Sequence, residues 1–290
     1  MAQFDYVAPS SAEDAVKALA AAPAAKALAG GTDLIVQMRA GRAKPPAVVD
    51  LKRIPGAIGV RRTPDGGFVI GAATPGAILG EDAGLARAWP GVVEAANLIG
   101  STQVQGRASL GGNLCNASPA ADSVPALIAA RAVCVIAGPA GRREAPVEQV
   151  QTGPGRTSLQ PGEFVLEFQL PPRPRLAGDA YLRLIPRTEM DIAVAGAGVS
   201  LTLDDDGRVR EAHVALGAVA PTALLVAEAG AALVGGRVDE AALERLDSAA
   251  RAACRPISDK RGTAEYRTQI AGVLARRAAK IAYDRAQARP

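Results

Sequence analysis

The run Pro171-Pro172-Arg173-Pro174 restricts this 290-residue chain more than any other stretch of it. Proline offers no N–H donor and fixes its own φ, so three in four residues can sit inside neither a helix nor a central strand. The chain is therefore expected to divide there, into residues 1–174 and a smaller unit over 178–286. At 290 residues it is long enough for two modest cores. Hydrophobic residues make up 49% and aromatics only 3%. Such cores must be built from small aliphatic side chains that let backbones approach closely, as layered folds of helices and sheets do.

Local patterns fill in each unit. Ser10 and Glu13 stand at capping-box spacing before Val16 and Leu19, which predicts a helix over 11–21. Lys26-Ala27-Leu28-Ala29 reads as a strand entering Gly30-Gly31, residues 33–39 as a helix, and Val48-Val49-Asp50-Leu51 as a buried strand. These make a small βαβ-like lobe over about 1–55. A second lobe, about 56–174, begins with strands 58–62 and 67–73 around the turn Pro64-Asp65-Gly66-Gly67. Helices near 75–80, 90–99 and 119–130 and strands 132–138 and 163–170 follow. Beyond the prolines, strands 194–203 and 209–219 flank Asp204-Asp205-Asp206-Gly207, and helices are expected over 222–234, 239–253 and 263–286. The fold class is α+β.

Charge and composition exclude several functions. The net charge is +4, and the basic pairs Arg142-Arg143 and Arg276-Arg277 are too short to track a phosphate backbone. Cys115, Cys134 and Cys254 are widely separated, so the chain alone cannot hold a zinc ribbon or an iron–sulfur cluster. The odd cysteine count and the absence of a basic, apolar leader point to a reducing, cytoplasmic compartment. Apolar runs fall short of the roughly 20 residues a membrane span needs. His213 is the single histidine, which rules out a multi-histidine metal site and argues against a Ser-His-Asp triad.

Two paired-glycine segments carry the chemistry. Ala29-Gly30-Gly31-Thr32-Asp33-Leu34 lies at a strand-to-helix turn, and Ser109-Leu110-Gly111-Gly112-Asn113-Leu114 in a Gly/Asn-rich loop. Without Cβ atoms, a ligand can approach the main chain, and successive N–H groups can form an anion-binding concavity. Neither segment is a Walker A loop or a GxGxxG fingerprint. On residue chemistry alone they are either phosphate loops or ordinary turns.

The full segments resemble the FAD-binding motifs of the medium subunits of the xanthine dehydrogenase and aerobic carbon monoxide dehydrogenase family. Ala29–Leu34 is similar to the first motif. Gly106–Asn113, continued by Asn116-Ala117-Ser118-Pro119-Ala120-Ala121-Asp122, is similar to the second. Arg187-Thr188-Glu189-Met190-Asp191-Ile192-Ala193 and Ser258–Arg267 match two further family segments in the same order. The resemblance implies a two-lobed FAD-binding domain of the vanillyl-alcohol-oxidase (PCMH) type and a smaller flavoprotein C-terminal domain. It assigns Ala29, Gly30, Gly31, Thr32 and Asp33 to one side of the FAD diphosphate. Ser109, Leu110, Gly111, Gly112 and Asn113 take the other side. Asp122 is assigned to a sugar or ribityl hydroxyl, Val165 or Leu166 to a backbone contact, and Arg183 to a position where the family usually carries Lys. The loop Gly153-Pro154-Gly155-Arg156-Thr157 lacks the aromatic character of NAD-linked members, which argues against NAD. His213 lies outside the matched loops, so FAD is expected to be non-covalent.

The resemblance also implies partners. A large molybdenum–pterin subunit would oxidise substrate, and a small subunit with two [2Fe–2S] clusters would pass electrons to FAD here and on to an external acceptor. The assembly implied is a dimer of heterotrimers, with no nucleic acid bound. A free-standing FAD oxidoreductase and a non-catalytic binder of a phosphate-bearing ligand are the alternatives left open.

Overall fold

The structure is a computed structural model, and it describes residues 3–22 and 24–288. Its first lobe is a three-stranded parallel sheet in the order Asp5–Val7, Ala47–Asp50, Lys26–Leu28. The helix Ala12–Ala21 crosses between the outer strands and buries Ala12, Ala15 and Leu19. That burial phase starts the helix one residue later than the Ser10–Glu13 spacing predicts. Ser11 is the cap, its Oγ accepting from the Asp14 N–H at 3.1 Å.

The second lobe is built on a five-stranded antiparallel sheet. Its order is Val60–Arg62, Phe68–Gly71, Phe164–Leu170, Val133–Gly138, Gly141–Pro146. The central strand Phe164–Leu170 serves two cores. Phe164 and Leu166 pack with Leu19 and Val49 of the first lobe, whereas Val165, Phe168 and Leu170 join Phe68, Ile70 and Ile136. Strict alternation would put 164, 166, 168 and 170 on one face. A register shift between Val165 and Glu167 inserts the extra residue that exchanges the faces. The edge strand Gly141–Pro146 was not expected. Its exposed Gly-Arg-Arg-Glu run carries no apolar alternation, and pairing with Val133–Gly138 defines it.

Two expectations, one of a loop and one of a helix, are corrected. The Gly/Asn-rich loop is a short helix, Leu110–Cys115, capped by Ser109. Leu110 and Leu114, four apart and both buried, outweigh the cost of two glycines. Conversely, 222–234 is not one helix. Leu224–Leu225 pairs with the open edge of the strand Val209–Gly217, and only Ala227–Ala231 is helical.

The C-terminal part is an antiparallel sheet in the order Ala177–Leu184, Ala195–Leu203, Val209–Gly217, Leu224–Leu225. The helix Ala264–Gln287 lies across it, burying Ala271, Ala275, Ala278, Ala279, Ala282 and Ala286. A Cβ on Gly178 would stand 1.9 Å from the Ala282 carbonyl, so helix and strand meet backbone to backbone. This is what the abundance of small residues is for. The proline run between the sheets is tied on both sides. The Arg173 guanidinium lies 4.1 Å from the Trp89 ring centre and 3.1 Å from Asp179 Oδ1. Asp179 Oδ2 in turn accepts from the Gly91 N–H at 2.8 Å.

Candidate functional site

The Lys26–Leu28 strand delivers Ala29–Asp33 to the seam between the two lobes, and the helix Leu34–Arg39 carries the chain away. Gly31 has φ +77°, a conformation that admits glycine readily. Gly30 is glycine for another reason. A Cβ there would lie 1.7 Å from the Arg107 carbonyl oxygen, so the two glycine segments touch main chain to main chain. Among the described residues, no acceptor engages the N–H of Gly31, Thr32 or Asp33. Asp33 gives its helix no side-chain cap, and desolvation raises its carboxyl above the usual aspartate value.

Across the seam, Ser109 Oγ accepts from the Gly112 N–H at 3.2 Å. The Gly111 N–H is spent on the Ala72 carbonyl at 3.0 Å, and a Cβ on Gly111 would reach that oxygen at 2.5 Å. Gly111 therefore fixes the segment to the sheet. Gly112 is different: apart from Ser109 Oγ at 3.3 Å, nothing blocks a Cβ there. Asn113 Oδ1 accepts from both Ser123 N (3.1 Å) and Ser123 Oγ (2.7 Å), which fixes its side chain.

These segments enclose an open cavity of about 490 Å³, within the size range of ligand sites. Ala29, Gly30, Gly31, Thr32 and Asp33 line one side of it, and Ser109, Gly111, Gly112, Asn113 and Val165 the other. Gly155 and Thr157 of the hairpin Gln151–Thr157 complete a wall, the Gly155 N–H donating to the Ala117 carbonyl at 2.9 Å. Ala117 has φ +50°, strain that the surrounding contacts sustain. Gln37 and Asn116, one from each lobe, are joined across the seam by a 2.9 Å Nε2 to Oδ1 hydrogen bond. Gln37 carries no signal in the sequence, and Asn116 stands there only within the second motif, because only the fold brings residues so far apart together.

Four expected site residues lie outside the cavity lining. Leu110 and Leu166 are core side chains, 1% and 3% exposed, and the Leu166 carbonyl is taken by the Ala72 N–H. Asp122 and Arg183 face each other, Arg183 Nη1 to Asp122 Oδ2 at 2.5 Å, with Tyr181 OH donating to Oδ1 at 3.2 Å. Burial pushes the Asp122 carboxyl up to about 6, against the lowering influence of Arg183 and Tyr181. The pair stands directly behind Asn113, through Ser123. Cys115 does line the cavity, but burial raises its thiol to about 12, so it is neutral and no nucleophile.

The two later motifs meet each other. Asp191 accepts from Arg187 Nε (3.1 Å) and Arg261 Nε (2.8 Å), and Asp259 pairs with Arg267 at 2.7 Å. Buried Arg267 also donates to the Val194 carbonyl at 2.8 Å. The network ties the 187–193 loop to the start of the last helix.

Residues 2–173 match the family model described as the FAD binding domain in molybdopterin dehydrogenase, and residues 180–282 match the CO dehydrogenase flavoprotein C-terminal domain. The chain belongs to this family. It is similar, at 37% identity over 98% of both chains, to the carbon monoxide dehydrogenase medium chain of Afipia carboxidovorans. A putative xanthine dehydrogenase FAD-binding subunit of Escherichia coli is 31% identical over 92% of each chain. Among solved structures, reconstituted CO dehydrogenase from Oligotropha carboxidovorans superposes with TM-score 0.93 at 36% identity, covering 98% of this chain and 99% of that one. The chain is thus a medium, FAD-binding subunit of the molybdenum hydroxylase type, an oxidoreductase component with the expected two-part α+β fold. Among the described residues, no helix is long and apolar enough to cross a membrane.

Proposed function

We propose that this chain is the electron relay of a three-subunit molybdenum hydroxylase, holding FAD in the cavity between its lobes. The observation that carries the reading is the pair of glycine segments facing one cavity, the first with three consecutive N–H groups that no acceptor among the described residues uses. Both adjoining helices have only six residues, so the donors are individual N–H groups rather than a helix dipole. Gly31, Thr32 and Asp33 offer N–H groups to the diphosphate from one side. Gly112 offers close approach from the other, with the hydroxyls of Thr32 and Ser109 beside them. For Asp122 we keep the hydroxyl-accepting role, on lone pairs that Tyr181 and Arg183 leave free, for a ligand extending past Asn113.

When bound, FAD supplies the capacity to accept electrons singly and release them in pairs. The protein's share is to bind, orient and shield it. Substrate oxidation at molybdenum–pterin and storage in [2Fe–2S] clusters belong to a large and a small partner subunit. The acceptor is external, and the assembly is a dimer of heterotrimers in the cytoplasm. The division of labour within the chain follows the proline run, with FAD binding in 1–174 and the flavoprotein C-terminal unit in 178–286. Tagged chain expressed with its neighbouring genes tests this: a yellow complex with two further chains, carrying molybdenum and iron, is expected. A lone flavoprotein that oxidises a small molecule unaided would contradict it.

A further inference from the structure

Two cations grip the first glycine segment from outside the cavity. Lys52 Nζ donates to the Ala29 carbonyl at 2.9 Å, and Arg107 Nε donates to the Gly30 carbonyl at 3.0 Å. Neither side chain lines the cavity. Lys52 is held in place by Asp50, whose Oδ1 it meets at 2.6 Å and whose Oδ2 accepts from Tyr6 OH at 2.5 Å. Asp50 is only 6% exposed, and burial alone would raise its pKa. The hydrogen bonds from Lys52 and Tyr6 outweigh that and leave the carboxyl below its usual value, so the anchor is a charged one. Arg107 is exposed and has no carboxylate partner among the described residues; its guanidinium reaches from the second lobe to the first.

The geometry points to a clasp: Lys52 and Arg107 are positioning residues that set the first glycine segment for the diphosphate, a role that rests on FAD occupying the cavity. The reason is peptide planarity. In a trans peptide, a carbonyl and the following N–H point in opposite directions from one rigid plane. Drawing the Ala29 carbonyl toward Lys52 turns the Gly30 N–H away from that lysine. Drawing the Gly30 carbonyl toward Arg107 does the same for the Gly31 N–H. Peptides between successive glycines are otherwise unusually free to turn. Fixing both planes in advance removes the ordering cost that FAD would otherwise meet on binding. Both cations also add positive potential beside the place where two phosphates are held. Because Arg107 comes from the opposite lobe, the same bond fixes the width of the seam.

Titration of the full-length apoprotein with FAD, alongside its thermal unfolding, tests the clasp. The variants are Arg107→Ala, Arg107→Lys, Lys52→Met and Lys52→Arg. Loss of one charge-assisted hydrogen bond should weaken FAD about tenfold in Arg107→Ala. Melting of the apoprotein should stay near wild type, because Arg107 is exposed. Arg107→Lys should recover part of the affinity. Inorganic pyrophosphate should compete with FAD less well in Arg107→Ala than in wild type. Lys52→Met should weaken FAD at least as much, and Lys52→Arg less, whatever either does to melting. Wild-type FAD affinity in Arg107→Ala would overturn the clasp while leaving FAD in the cavity. So would loss of FAD and melting temperature in parallel, without rescue by lysine at 107. Wild-type protein that takes up no FAD would overturn the underlying reading as well.

Discussion

Four glycines in two segments do three different jobs, and substitution separates them. At Gly112, which lines the cavity, a Cβ meets only Ser109 Oγ at 3.3 Å. Gly112→Val should therefore fold yet lose FAD, which flavin absorbance and apoprotein melting together would show; retained stoichiometric flavin would remove Gly112 from the site. At Gly30 a methyl group collides with the Arg107 carbonyl and forces the segments apart. Gly30→Ala should lose FAD and also roughly 1–3 kcal/mol of stability, the range for overpacking. Asp122 makes a pH prediction. Its folded pKa of about 6 lies above an ordinary aspartate near 4, so the folded state binds more protons between those values. Stability from this group is fully present below about pH 4 and is lost as pH rises through about 6. Wild type should lose stability relative to Asp122→Asn across that window, and a flat difference would contradict the burial argument. Asp122→Ala should weaken FAD and also lower stability, because it leaves the buried Arg183 guanidinium without its carboxylate. The glycine segments were legible because each is contiguous in sequence. Gln37 and Lys52 were not, and Asn116 and Arg107 stood out only as members of the second motif with no role of their own, because those roles depend on partners that only the fold brings near.

Elements were legible where periodicity or a turn signal was strong. The last two helices and the Asp204–Gly207 hairpin stand where pattern places them. Misses share one cause, pairing or packing that is not local. Asp5–Val7 is a strand only because residues 47–49 run beside it, and Gly141–Pro146 only because Val133–Gly138 offers an edge. In Leu110–Cys115, burial of two leucines overrides the low helix propensity of the glycines between them. The strand Ala177–Leu184 was missed because Gly178 and Asp179 dilute its apolar pattern, although it is buried for most of its length. Its start is held by the Arg173–Asp179 pair, both side chains under 10% exposed. Removing one partner of a buried pair strands the other charge. Arg173→Ala should cost roughly 3–5 kcal/mol in chemical denaturation. A loss under about 1 kcal/mol, the range for a surface pair, would show that the linker is not locked there.

At the scale of the whole molecule, small side chains and a divided chain serve one end, a seam between lobes that is lined by main chain. Alanine-rich packing of helix Ala264–Gln287 on its sheet buries the C-terminal core without large aromatics. The switched faces of Phe164–Leu170 let one strand support both lobes, and the cavity opens beside it at Val165. Fold class could be read from sequence because it follows from element order. The cavity itself could not, since its walls come from residues 19 to 165. The most direct test of the account is the structure of the purified chain with the flavin it carries. One non-covalent FAD per chain is predicted, with its diphosphate between Gly31–Asp33 and Gly112. A diphosphate bound elsewhere, or a chain that binds no flavin at all, would contradict it.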